Sequence, residues 1–160
     1  MATWNIRPIT PVYWNESNRY VSYPLAAAQD FSKGAPVVLG TDGTISEAGA
    51  DPALILGFAT SSAAQANPAD TFGYNSQNVP VALADQTFRG TLEGTYNAAT
   101  DIGDQFGIVE DATGYWTVDR ADTANVVVTV LDVGDDDVAD GDVNPPVIFR
   151  VIDTVRQADS

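Results

Sequence analysis

The densest collection of chemically capable side chains is the run Asp132 to Asp142, DVGDDDVADGD, which holds six carboxylates in eleven residues. Calcium takes carboxylate oxygens from such flexible loops. The spacing does not fit an EF-hand: counted from Asp136, the third position is Val138 and the twelfth is Val147 where a glutamate is required. Nor does it fit the glycine-rich calcium repeats of β-solenoids. The run reads as a solvated hairpin loop, and no metal is expected. Two carboxylates suffice for glycoside hydrolysis, but with 22 acidic residues some suitably separated pair always exists. Such a pair says nothing without a cleft.

The remaining catalytic repertoire is thin. The chain has no histidine, and so lacks the commonest general base and transition-metal ligand, and it has no cysteine. No G-x-S-x-G elbow occurs. Lys33, the only lysine, sits in Ser32-Lys33-Gly34 without an S-x-x-K motif, and a catalytic lysine also needs desolvation to lower its pKa. The glycines are dispersed at turn positions and build no phosphate loop. Tyr115 and Trp116 suggest a sugar platform, but neighbours on a strand face opposite ways. Trp116 shares its face with Val118 and is expected in the core. A chain without enzymatic activity, catalytic residues or cofactor is the expectation.

Charge narrows the partners. The formal net charge is −15, and eighteen of the acids are aspartate, which favours turns over helices and strands. A surface loaded with aspartate loops repels nucleic acid, whose phosphates need clustered Lys and Arg. No apolar run approaches the ~18 residues of a membrane span. The start, MATWNIRPITPVYW, has no signal-peptide core and is interrupted by Pro8 and Pro11. The expectation is a protein of the cytosol with neither nucleic acid nor membrane as partner.

The elements that position these residues are strands. Residues 1–18 read as an N-terminal arm rich in proline and aromatics, 19–155 as one β domain, and 156–160 as a frayed tail. Exposed aromatics on an arm are expected to pack, on its own core or on a neighbour. Trp4, Ile6, Val12, Tyr13 and Trp14 are therefore contact candidates. Phe31 to Thr60 reads as strand, Asp42-Gly43 type I′ turn, strand, loop, and a longer strand from Leu54. That strand is apolar on both faces, which marks Ile55 and Ala59 as candidate intersubunit contacts. Leu25 to Gln29 fits a short helix or a continued strand, and residues 61–78 a small-residue loop. Val79 to Ala84, with Pro80, suggests an edge strand. Phe88–Leu92, Phe106–Glu110, Tyr115–Asp119, Val126–Val133 and Val147–Val155 follow, the second and third joined by an Asp111–Gly114 turn. About nine short strands with almost no helix predict an all-β fold, a compact antiparallel sandwich or barrel with an extended N-terminal arm.

The pattern has a counterpart. The Gly103–Val109 strand, the Trp116–Asp119 strand, the Thr123–Asn125 step, the valine-rich strand, Gly141-Asp142 and the terminal Val147–Val151 strand resemble the C-terminal half of small structural proteins of tailed-bacteriophage heads. The first half, Phe-x-x-Gly, strand, Asp-Gly, strand, Ile-Leu-Gly-Phe-Ala, is similar to phage capsid decoration (cement, head-stabilising) proteins. The resemblance spans most of residues 31–155. It implies a non-enzymatic virion protein that binds the major capsid protein on the outer surface of the assembled capsid. It further implies a homotrimer at local threefold positions and assembly in the host cytoplasm. Another virion component, such as a head fibre base or minor structural protein, and a carbohydrate-binding β-sandwich module are the competing readings.

Overall fold

The computed structural model describes residues 1–12, 20–64 and 78–157. The chain is almost entirely β. Its first half contributes β1 (Thr10–Pro11), β2 (Tyr20–Pro24), β3 (Asp30–Phe31), β4 (Pro36–Leu39), β5 (Ile45–Glu47), β6 (Gly57–Ala59) and β7 (Ala63–Ala64). Its second half contributes β8 (Asn78–Leu83), β9 (Thr87–Glu93), the one-turn helix α1 (Ala98–Asp101), β10 (Gln105–Glu110), β11 (Trp116–Asp119), β12 (Val128–Val133) and β13 (Pro146–Val151).

Strands β9 to β13 close on themselves. β9 pairs with β13, β13 with β12, β12 with β10, β10 with β11, and β11 returns to β9 through a short parallel contact at Val118–Leu92 and Asp119–Glu93. The result is a five-stranded ring, with β1 added along β9 at Thr10–Arg89 and Pro11–Phe88. Four first-half strands together with β8 form an antiparallel sheet in the order β2-β8-β6-β4-β5, the first-half sheet, and a parallel bridge from Leu25 to Ile45 ties its two outer edges together. β3 and β7 make a separate two-stranded pair.

Both halves share one core. Phe58 of β6 meets Phe88 of β9 edge-on at 4.7 Å between ring centroids, and Phe149 of β13 at 6.0 Å. Edge-to-face rings at such spacing add attraction beyond their buried area. All three rings are at most 1% exposed, so this cluster joins the first-half sheet to the ring. The alternation expected at Val147, Phe149 and Val151 is present: all three are buried while Arg150 between them is exposed. Trp116 and Val118 likewise both lie in the core.

Two hairpins turn by the same device. Between β4 and β5, the Gly40 amide donates to Thr44 and the Gly43 amide to Gly40; between β10 and β11, Asp111 donates to Tyr115 and Gly114 to Asp111. Each is a tight turn followed by a glycine at positive φ, Gly43 at 80° and Gly114 at 87°. The 42–43 hairpin is therefore present but its turn is wider than type I′. Asp42 does not adopt positive φ; its carboxylate accepts the Thr44 amide and hydroxyl instead.

Several expectations need correction. The Leu54 strand is shorter, beginning at Gly57, and Leu54 itself is exposed. Pro80 does not mark an edge: β8 lies between β2 and β6. Proline is tolerated there because the β6 ladder ends one pair earlier, at Ala59–Val81, and only the Pro80 carbonyl is used, accepting from Thr60. Leu25–Gln29 is neither helix nor strand, turning through Ala28 at φ 60°. The helix α1 interrupts a stretch with no helical pattern in the sequence; it is capped by Asn97, whose side chain accepts the Ala99 amide. Arg156 and Gln157 are not frayed: Arg156 bridges Ile55, and the Gln157 side-chain amide exchanges two 2.8 Å hydrogen bonds with the Leu39 backbone.

Candidate functional site

Residues 1–12 form an extended strap laid across the ring. Thr3 bridges Val143 in parallel, the Trp4 amide donates to the Val143 carbonyl at 2.9 Å, and the Val143 amide donates to Ala2 at 2.8 Å. Farther along, the Arg7 amide reaches the Thr91 hydroxyl and β1 pairs with β9. Ile9 is 1% exposed and belongs to the core. It reaches that depth because Gly90 and Gly34 leave room: a Cβ on Gly90 would come within 3.1 Å of Ile9 and 2.9 Å of Phe149, and one on Gly34 within 2.6 Å of the Ile9 backbone.

The anchor of the strap is Asp142. One carboxylate oxygen accepts the Ala2 amide at 2.8 Å; the other accepts the Trp4 indole Nε1 at 3.0 Å and the Ala139 amide at 3.1 Å. These donors, the Ala2 amide first, hold its pKa below the ordinary aspartate value. Asp142 is 3% exposed, whereas Asp136, Asp137 and Asp140 of the same acidic loop are exposed. The loop is solvated as its sequence predicts except at Asp142, the one buried aspartate of the run. Nothing in DVGDDDVADGD distinguishes it; its two partners on the strap lie 140 and 138 positions away in sequence.

Several other carboxylates in this region are committed to local donors. Asp135 accepts the Asp137 amide, Asp140 the Ala98 amide, and the buried Asp101 accepts both Arg120 Nε and the Asn97 amide. Among the described residues no group of three acidic side chains is arranged to hold a metal.

The contact candidates fall into three groups. Trp4, Ile6 and Val12 are half-buried along the strap, each with part of its side chain at the surface. Tyr13 and Trp14 lie outside the described residues. Ile55 and Ala59 are 0% and 1% exposed in the single chain. They are filled against the chain's own core, so the reading of them as intersubunit contacts does not hold.

Two grooves flank the strap. One, of about 610 Å³, runs between Trp4, Arg7 and Pro8 on one side and Arg89, Thr91 and Pro146 on the other. The second, of about 500 Å³, lies between Thr10, Val12 and Lys33 and the same Arg89, with Ile148. Arg89 occupies the ridge between them because Gly134 beneath it has no side chain; a Cβ there would lie 3.0 Å from Arg89 Nε. Arg7, Lys33 and Arg89 are exposed, and none makes an ion pair among the described residues. Three of the chain's seven cations thus gather, unpaired, on one face of an acidic protein.

A third groove, of about 360 Å³, has the opposite sign. It lies between the 47–51 segment and the β10–β11 hairpin, lined by Glu47, Asp51, Glu110, Asp119 and Asp122. Trp116 closes its floor, donating its indole N–H to Glu47 at 3.0 Å. Desolvation raises the Glu47 pKa, the Trp116 bond opposes the rise, and Glu110 and Asp30 add to it. With its ring 4% exposed and its N–H engaged, Trp116 offers no stacking face to a sugar. Comparison of the chain with protein-family models and with curated proteins finds no match in either.

Proposed function

We propose that this chain is a non-enzymatic structural protein of a tailed-phage virion, which binds the major capsid protein on the outer surface of the assembled capsid and stabilises it, as a trimer at local threefold positions. The reading rests on the resemblance of residues 31–155 to capsid decoration proteins. The observation that carries it furthest is the strap: Trp4, Ile6 and Val12 lie half-exposed along a segment fixed to a β body by Asp142 and Ile9. Half-buried apolar anchors on a pre-organised segment dock with little loss of conformational freedom.

Stabilisation then follows from mass action. A protein that binds the assembled shell and not its dissociated subunits stabilises the shell in proportion to its occupancy, repeated over many sites. Of the competing readings, a carbohydrate module loses its platform with Trp116 in the core. Co-sedimentation with purified capsids tests the proposal: binding to expanded shells, absent from immature ones, is the expected result. Recovery of the protein with tails, and not with shells, defeats it in favour of another virion part.

A further inference from the structure

The cationic face and the acidic groove share no lining residue among the described residues, although a Cβ on Gly114, in the turn of the hairpin that borders the groove, would lie 3.4 Å from Ser32, next to Lys33. Arg89 projects from the outer face of β9, directly opposite Ile148 of β13, with Arg7 and Lys33 beside it on the strap side. The acidic groove belongs to the β10–β11 hairpin. Around the ring β12 separates β13 from β10, and β11 touches β9 only through its last two residues.

We propose that these two faces are the halves of one subunit contact, with Arg7, Lys33 and Arg89 of one copy set against the acidic groove of the next. The partner is a second copy of this chain because the complementary charge is carried by the chain itself. The contact is heterologous, not isologous: a twofold axis through either face would set like charges against each other. Heterologous contacts close into rings when the rotation per subunit divides a full turn. The inference deepens the trimer of the proposed function and rests on that reading for ring closure. Net charge opposes association, since every copy carries −15. At physiological ionic strength, however, charges beyond about 8 Å are largely screened while pairs in contact still attract, so the local match decides.

The composition supplies a direct test. Lys33 carries the only side-chain amine in the chain, so a zero-length carbodiimide, which condenses an amine with a touching carboxylate, reports what Lys33 meets. With equal amounts of ¹⁴N- and ¹⁵N-labelled wild-type protein, the expected products are hybrid peptides joining Lys33 to Asp51, Glu110 or Asp119. Hybrids to acids outside that groove, or Lys33 links confined to single chains, overturn the contact. Charge reversal gives a second readout by sedimentation velocity. Arg89→Glu and Glu110→Arg alone should each weaken association by about five- to tenfold, and the two together in one chain should restore it. Both residues are exposed and make no side-chain hydrogen bond among the described residues, so folding should survive either change. Equal association of the double variant and the singles counts against the pairing. Capsid co-sedimentation run in parallel separates the two readings. Cross-linked oligomers that ignore capsids leave the contact and defeat decoration; capsid binding without hybrid cross-links leaves decoration and defeats the contact.

Discussion

The indole N–H of Trp4 donates to Oδ2 of Asp142 at 3.0 Å, joining positions 138 residues apart. With the Ala2 amide on the other oxygen, this carboxylate holds the beginning of the chain onto a loop near its end. The start of the strap is therefore held by a hydrogen-bonding carboxylate, while Ile9 farther along is held by burial in the core.

Asp142→Ala removes the acceptor for all three donors. The expected outcome is faster hydrogen exchange at the Trp4 and Val143 amides, by about tenfold for each hydrogen-bond equivalent lost, with little change in β10–β12. Acid should act in the same direction. The folded pKa of Asp142 lies below its ordinary value of 3.8, so its contribution is complete above that pH and disappears as pH falls through the folded value. Trp fluorescence followed from pH 5 downward should show a transition below 3.8 that Asp142→Ala lacks.

Glu47 should behave oppositely. Its folded pKa is raised above 4.5, chiefly by desolvation. The favourable contribution of its protonated form is then complete below pH 4.5 and is lost as pH rises through the folded value. Glu47→Gln keeps an acceptor for Trp116 and removes the charge. After allowance for solvent screening at this half-exposed site, a melting temperature higher by about 1–2 °C at pH 7 is expected, with no gain at pH 4. A decrease at pH 7 would show that the ionised carboxylate is the better partner for Trp116.

Gly57 is required for space, not for conformation. A Cβ added there would collide with the Ala82 carbonyl and lie 2.8 Å from Val81 Cγ1. Gly57→Ala, in the middle strand of the first-half sheet, should cost about 3 kcal/mol or more in urea unfolding. Gly43→Ala meets no neighbouring atom and should cost about 1 kcal/mol, through its positive φ alone.

Contact and stability should separate along the strap. Ile9→Ala empties a fully buried site and should destabilise by about 2–4 kcal/mol. Ile6→Ser, at a half-buried position, should change stability by less than about 1 kcal/mol yet reduce capsid co-sedimentation. If Ile6→Ser and Ile9→Ala lose capsid binding only in step with stability, the strap is a structural brace and not a contact surface.

The all-β character was legible because the second-half strands alternate cleanly. Val147, Phe149 and Val151 are buried while Arg150 is exposed, and the two glycine-bearing turns stand where Asp42-Gly43 and Thr113-Gly114 mark them. What stayed hidden depends on contacts distant in sequence. Ring closure rests on a two-residue parallel contact between β11 and β9, which no local pattern encodes. Ile55 and Ala59 had the periodicity of a two-faced strand, but β4, β8 and residues 155–157 cover them within the same chain. At the candidate site, Trp4 and Ile6 were legible as apolar residues on a proline-rich segment, while Asp142 was one aspartate among eighteen.

The closed ring has a consequence for life at high density. Every one of β9, β10, β11, β12 and β13 has a partner on both sides. In the first-half sheet, the outer strand β2 is five residues long and ends in Pro24, and β5 is three residues long and bridged to Leu25. Unpaired strand edges are the usual template for fusing neighbouring chains into aggregates. Copies crowded side by side at fixed spacing would therefore find, among the described residues, no long backbone edge on these strands to extend.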